Sequence, residues 1–398
     1  NSIMVINMEA DLMDNERIKE LSERLEENID GASKVFIVGH NNPDYDAIGS
    51  ALGIATIVKF LGKDAYIIIN DGLSKLDLGV QNILAANSSD YNIITLEDFR
   101  KLVDDDSMLI TTDVNKKYMV SVRDDLRSFK KVMIIDHHLD DEFTIDADYK
   151  YIDVAASSAS EIVTRVLKKM NIDYSLKLAN ALLAGIILDT KRFQKNTSLS
   201  TFQATEELCQ RGADYEAVNR LFVSDFKEAT EINFLISGNE ELSNTRIVAY
   251  PQLLGAPTVS FTVNRNKPST MYNQVTLAKA ADQMLNYNVD ASFVLGYVSP
   301  DDVGISARSR GDFNVGEVLA KLQYLDLPQV ELLAFNPSEI VKSGGGNKQN
   351  AGGRVTTTDI FKLEREIQRQ VEEVLEVSNG PVSLVGDDNQ LSKRSFKR

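Results

Sequence analysis

The chain alternates short, uniformly apolar runs with longer stretches in which apolar residues recur every three or four positions. Lys34 to Val38, Ala65 to Ile69, Met108 to Thr112 and Val132 to Ile135 are rich in β-branched residues and show no polar alternation. That is the signature of strands buried on both faces. Ahead of them, Asn15 to Ile29 places Ile18, Leu21, Leu25 and Ile29 on one helical face. After the first strand the chain turns at Asn41-Asn42-Pro43 and enters a helix near Ala47, running through Gly49, Ala51, Leu52 and Ile54. The rhythm predicts an α/β fold, a parallel sheet with helices on both faces. Ligands of such sheets bind at the carboxyl ends of the strands.

Residues 204–239 are helical in pattern and charged, with no strand signal, and read as a connector between a first domain at 1–203 and a second, smaller α/β domain at 240–378. The second block shows strand patterns at Thr245 to Ala249, Ala291 to Tyr297 and Val303 to Ala307, and helical patterns at Gln274 to Met284, Val315 to Leu322 and Ile360 to Leu375. Ser343 to Arg354 is glycine-rich and reads as a loop. The polar tail, 379–398, reads as flexible.

A net charge of −16 argues against a broad basic surface, so no long nucleic acid is expected as a partner. A small anionic ligand stays admissible, because cations and local Arg or Lys reverse the field in one cleft. No apolar run reaches the roughly 18 residues of a membrane helix, and Asn1-Ser2-Ile3-Met4 lacks a basic region followed by a hydrophobic stretch. No membrane contact is therefore expected from this chain. The lone Cys209 fits a reducing, cytoplasmic setting.

The chain has three histidines, and all sit in two acid-bearing motifs: His40-Asn41-Asn42-Pro43-Asp44-Tyr45-Asp46 and Asp136-His137-His138. Two further aspartates close apolar runs read as strand ends, Asp113 after Met108 to Thr112 and Asp189 after Leu182 to Leu188. Singly, Asp113 or Asp189 reads better as a strand-end aspartate capping the next helix, and a lone His40 as structural. Jointly, four motifs at four expected strand ends supply imidazole and carboxylate donors for two divalent ions. The mixture suits Mn, Fe, Zn or Co better than Ca, and the lack of nearby cysteines disfavours structural zinc. Two such ions roughly 3.5–4 Å apart would polarise a phosphoryl group for in-line attack.

With these motifs, Gly39 to Ser50, Asp113, Asp136-His137-His138 and Asp189, the chain resembles the DHH/DHHA1 phosphoesterases from about Asn15 to Leu375. The resemblance implies a DHH domain followed by a smaller DHHA1 domain, and two manganese ions as cofactors. It assigns His40, Asp44 and Asp113 to one ion and Asp46, Asp113, His137 and Asp189 to the other, with Asp113 bridging. Asp136 would orient an imidazole from outside the ligand shell, and His138 would face the scissile phosphate or its leaving oxygen.

Ala155 to Glu161, Leu182 to Lys191 and Gly304 to Ser309 further resemble the cyclic-di-AMP phosphodiesterases of the GdpP type. That similarity implies opening of the cyclic dinucleotide to linear pApA by attack of a bound hydroxide. It also implies a cytoplasmic catalytic part, either free-standing or cut from a membrane-anchored protein. Ser157 and Ser158, at the start of a helix, could receive a phosphate or simply cap the helix. Arg308 could present a bidentate fork to the second phosphate. Gly344, Gly345 and Gly346 allow close backbone approach to substrate, but Asn347 stands where relatives carry a histidine, and Gln323 to Lys342 looks like an insertion. Two alternatives stay open: a nanoRNase-like or pAp-phosphatase-like hydrolase of short linear nucleotides, and a nucleotide sensor that binds without cleaving. The sequence leaves a homodimer open as well.

Overall fold

The four uniformly apolar runs become β1 (Lys34–Val38), β2 (Asp64–Ile68), β4 (Met108–Thr112) and β5 (Lys131–Asp136) of one six-stranded sheet, completed by β3 (Asn92–Ile94) and β6 (Tyr149–Ile152), which the apolar pattern does not mark. The coordinates are a computed structural model describing residues 2–70, 76–222, 226–237, 243–248, 258–264, 271–287, 289–310, 313–321, 330–331, 350–356 and 360–379. All neighbouring strands in this sheet run parallel, in the order β3-β2-β1-β4-β5-β6. Successive residues face opposite sides, so Val35 and Ile37 enter one core while Phe36 and Val38 enter the other. The larger core also takes α1 (Ser2–Asp30), α2 (Tyr45–Phe60), α5 (Ala159–Lys169) and α6 (Leu176–Asp189). The other face is closed by an aromatic group around Phe36, Phe99 and Phe129, with Phe99 on α4 (Leu96–Leu102). Helix α3 (Leu78–Asn87) links β2 to β3.

The strand order places the functional end of the sheet. From β1 the chain winds outward through β2 and β3, then returns to β4 on the other side and winds outward again. The loops leaving β1 and β4 therefore diverge, opening a crevice at their carboxyl ends. His40, Asp44, Asp46 and Asp113 leave from this point.

One expected strand is a helix. Leu182 to Leu188 lies in α6, and Asp189 ends that helix, not a strand. A short apolar run does not distinguish a buried helix from a buried strand. The deciding signal lies upstream: Ser175 caps the helix, its hydroxyl accepting from the Leu178 N–H at 3.2 Å. Helices α2 and α6 then pack at close range through glycines. A Cβ on Gly185 would lie 2.7 Å from Asp46 Oδ1 and 2.9 Å from Asp46 Cα, and one on Gly49 would lie 2.7 Å from the Ala181 carbonyl oxygen.

Contacts divide the chain into two units, Asn1–Val223 and Ser224–Arg398. Helices α7 (Leu199–Gln210) and α8 (Tyr215–Asn219) complete the first. The second is built on a sheet of order β11-β12-β10-β9-β8-β7. Its strands are β7 (Ser243–Val248), β8 (Val259–Asn264), β9 (Ala291–Tyr297), β10 (Asp302–Ser309), β11 (Val330–Glu331) and β12 (Asn350–Thr356). Only the β8–β9 pair is parallel. Helices α9 (Phe226–Ser237), α10 (Gln274–Met284), α11 (Val315–Lys321) and α12 (Ile360–Asn379) accompany it. The end of the glycine-rich segment is thus a strand: Asn350 to Arg354 pairs with β10, and that pairing overrides the weak strand preference of glycine. The residues before it, including Gly344, Gly345, Gly346 and Asn347, lie outside the described residues, as does the tail beyond Asn379. Among the described residues no helix is long and apolar enough to cross a membrane.

The close approach at Gly185 makes a first prediction. Gly185→Ala should lower stability by about 1–3 kcal/mol through overpacking against the Asp46 backbone, read as a fall in thermal midpoint. An unchanged midpoint would refute the packing described here.

Candidate metal centre

The exit from β1 positions the first three donors. The Asn41 N–H donates to the Met119 carbonyl at 2.7 Å and fixes the loop. Asp44 then caps α2, its Oδ1 accepting from the N–H groups of Asp46 and Ala47 at 2.9 and 3.1 Å. Its other oxygen faces His40 Nε2 at 3.7 Å. Asp46, in the first turn of α2, is fully buried. Its Oδ2 accepts from the Ala159 N–H at 2.7 Å and its Oδ1 from the Ser160 N–H at 2.8 Å.

Asp113 follows β4 with a φ of 58°, a left-handed backbone that aspartate tolerates better than most residues. Its two carboxylate oxygens face different neighbours. Oδ2 lies 3.7 Å from His40 Nε2, and Oδ1 lies 3.3 Å from His137 Nε2. His137, just past β5, also approaches Asp189 Oδ2 at 3.1 Å and Asp46 Oδ2 at 3.9 Å. Two donor groups result. His40, Asp44 and Asp113 present atoms within 4.8 Å of one another, and so do Asp46, Asp113, His137 and Asp189. Asp113, Asp136, His137 and His138 are equally close, but Asp136 Oδ1 is already engaged by His138 Nδ1 and the His137 N–H, both at 2.8 Å.

Electrostatics make this crowding costly unless positive charge enters. Burial, then the charge of Asp189, push Asp46 up to about 7. Burial and the charge of Asp46 raise Asp113 well above the usual carboxylate range. Desolvation works against the Asp44 anion, yet His40 and the α2 amides hold its carboxyl low. Burial opposes the cationic form of His137, yet the facing carboxylates of Asp113 and Asp189 raise it. Asp113 Oδ1 and His137 Nε2 are buried without a hydrogen-bond partner. Buried polar atoms left unpaired are rare. Two donors bonded to one ion at about 2.1 Å sit roughly 3.0–3.4 Å apart, close to the spacing around His137. The residues present therefore fit a pair of divalent ions.

Other expected site residues fall differently. His138 is exposed, and Asp136, buried and held below its ordinary value by His138 in spite of burial, anchors the imidazole through Nδ1. Ser157 and Ser158, expected as phosphate contacts, are fully buried. The Ser157 N–H and hydroxyl donate to Glu161 Oε2 at 3.0 and 2.6 Å, and Ser158 caps α5, accepting from the Glu161 N–H at 3.0 Å. With Ala159 and Ser160 donating to Asp46, the amino end of α5 is occupied by the protein's own carboxylates. Arg308, on β10, donates from Nε to Asp282 Oδ2 at 3.2 Å.

Sequence reasoning missed the residues that support the centre. Asn115 donates to the carbonyls of His138 and Leu139 at 3.1 and 3.2 Å, and Lys116 to that of Leu139 at 2.8 Å. They pin the loop behind His138, and only their place just after Asp113 could have drawn notice. Past Asp189 the backbone turns left-handed at Lys191, Arg192 and Phe193, with φ of 46°, 59° and 62°. Such residues cost roughly 1–2 kcal/mol each. Thr190 holds the turn: its hydroxyl accepts from the Phe193 N–H at 2.9 Å, and its carbonyl from Gln194 and Lys195.

Residues 34–186 match the family described as "DHH family, N-terminal domain", so the chain carries a DHH-family domain in its first unit. In particular, it is 29% identical over 371 residues to the cyclic-di-AMP phosphodiesterase GdpP of Geobacillus thermodenitrificans, a match covering 90% of this chain and 50% of that protein. The chain spans about half the length of the cyclic-di-AMP phosphodiesterases it matches. A probable manganese-dependent inorganic pyrophosphatase of Streptococcus thermophilus is 29% identical over 177 residues, 44% of this chain and 54% of the relative. Among solved structures, an exopolyphosphatase-related protein from Bacteroides fragilis has the same fold, with a TM-score of 0.65 at 18% identity, covering 90% of this chain and 96% of that one.

Cation binding should stabilise the chain. At a hundredfold excess of manganese over its dissociation constant the gain is about 2.7 kcal/mol, and the thermal midpoint should rise by several degrees and fall back on chelation. Asp113→Asn keeps a residue tolerant of left-handed backbone while removing one crowded charge. Its metal-free midpoint should equal or exceed that of the unaltered chain, and the manganese shift should disappear. A full manganese shift in Asp113→Asn would contradict the shared role.

Proposed function

We propose that the chain is a manganese-dependent phosphodiesterase that hydrolyses cyclic di-AMP to linear pApA. The observation that carries this reading is the pair of donor groups meeting at Asp113, each facing a different oxygen of one carboxylate. Its similarity to proteins named as cyclic-di-AMP phosphodiesterases supplies the substrate. The choice of manganese rests on the mixed imidazole and carboxylate donors and on the likeness to a probable manganese-dependent pyrophosphatase.

His40, Asp44 and Asp113 would hold one ion, and Asp46, Asp113, His137 and Asp189 the other. When bound, the pair would supply Lewis acidity at phosphorus and lower the pKa of water. The rest falls to the protein. Asp46 is held rigid by two backbone amides of α5, and Asp113 is fixed by its left-handed turn, so the donors are set before substrate arrives. Asp136 binds His138 Nδ1 at 2.8 Å and directs the exposed ring outward. In its protonated form His138 would give the Nε2 proton to the departing ribose oxygen, while the Asp136 carboxylate stabilises the imidazolium until then. Asn115 and Lys116 keep the His138 loop in place through its carbonyls. The second unit would serve nucleotide binding, with Arg308 its candidate phosphate contact, and the cytoplasm is the proposed setting.

The test compares hydrolysis of cyclic di-AMP, pApA and pAp by one manganese-loaded preparation, with products separated by chromatography. Cyclic di-AMP should turn over fastest and yield pApA. Faster cleavage of either linear nucleotide would overturn the cyclic preference, and binding without cleavage would leave a sensor. His138→Ala should lower kcat on cyclic di-AMP by about 10²- to 10⁴-fold with the manganese-induced rise in thermal midpoint intact.

A further inference from the structure

Tyr45 lies between two candidate ligands, Asp44 and Asp46, yet it points away from them into a separate contact. Its ring is buried and packs on Phe222, with centroids 4.7 Å apart. The phenol's single proton lies between the Leu221 carbonyl at 2.8 Å and Asp77 Oδ1 at 3.1 Å. Gly79 makes room for this arrangement: a Cβ there would lie 1.9 Å from Tyr45 Oη and 2.7 Å from the Leu221 oxygen. The segment beyond Asp189 reaches the same place. Arg192, in the left-handed turn, sets its guanidinium over the Phe222 ring at 5.7 Å and makes a long contact to Asn219 Oδ1 at 3.5 Å. Leu221 and Phe222 are the last described residues of the first unit.

We propose that Tyr45 is a positioning residue for the metal centre, and that Leu221 and Phe222 form the strut against which it holds the Asp44–Asp46 loop. The proposal rests on the two-ion reading above and goes beyond it by giving a role to residues that donate nothing to either ion. Physically, Asp44 and Asp46 belong to different donor groups, and Tyr45 is the residue between them. Fixing its side chain at both the ring and the hydroxyl fixes the backbone from which both carboxylates project. Arg192 contributes from the Asp189 side, so two of the four ligand-bearing segments bear on one aromatic ring. Residues that orient ligands from outside the coordination shell typically change metal affinity by 10- to 100-fold when removed.

The experiment is a calorimetric manganese titration of the full chain, unaltered and as Tyr45→Phe, Phe222→Ala and Gly79→Ala. Tyr45→Phe keeps the ring and deletes only the hydroxyl with its contacts to Leu221 and Asp77, so it should fold normally while weakening manganese binding about tenfold. Phe222→Ala and Gly79→Ala should weaken it in the same direction. A purely structural tyrosine would instead lower the metal-free thermal midpoint and leave the manganese affinity untouched. The second readout is hydrogen exchange across Asn219 to Phe222, where manganese should increase protection in the unaltered chain but not in Tyr45→Phe. Unchanged affinity in Tyr45→Phe, beside normal manganese binding by the unaltered chain, would overturn this proposal alone. No manganese binding by the unaltered chain would overturn the two-ion reading and the proposal with it.

Discussion

Four carboxylates are forced together at the crevice between β1 and β4, and the rest of the first unit is arranged around that repulsion. Like charges in a buried position raise one another's pKa and oppose folding unless a counter-charge is present. The fold does not relieve the strain by separating them. It holds Asp46 with two backbone amides, fixes Asp113 in a left-handed turn and brings Asp189 up on the end of a helix packed through glycine. A centre built this way is poised for cations, which explains why polar atoms at its middle are left without partners among the protein's own groups.

The parallel sheet makes this convergence possible without long-range design at any single residue. Strands in the order β3-β2-β1-β4-β5-β6 deliver three loops side by side, from β1, β4 and β5, so that residues distant in sequence become neighbours. The fourth contribution comes from a helix. Asp189 reaches the same point because α6 packs tightly on α2, and Gly185 sits against Asp46 at the contact.

Much of the first unit could be read from the chain because a sheet buried on both faces leaves uniform apolar runs, as at Val35 to Val38 and Leu109 to Ile110. The motifs that meet at the candidate centre were legible for the opposite reason: they are short and local, and His40, Asp44, Asp46, His137 and His138 stand out against a background with no other histidine. What could not be read depends on contacts across long separations. Nothing near Ser157 and Ser158 announces that Asp46, more than a hundred residues earlier, takes the amides that follow them. The helical state of Leu182 to Leu188 was hidden because burial on all sides erases periodicity. The strand at Asn350 to Thr356 is fixed by its partner β10, since glycine carries almost no signal of its own.

The occupied amino end of α5 has a consequence for the order of events. Helix amino ends are ready-made anion sites, and in many α/β proteins that end greets the phosphate directly. Here it is filled internally, so a polyanionic nucleotide arriving at the bare crevice would meet Asp44, Asp46, Asp113 and Asp189 with no helix dipole to welcome it. Only after cations had seated themselves would the local field change sign. On the proposed function, loading of ions would then come before capture of the nucleotide, and cation supply would act as an entry condition for the reaction as well as a requirement of its chemistry.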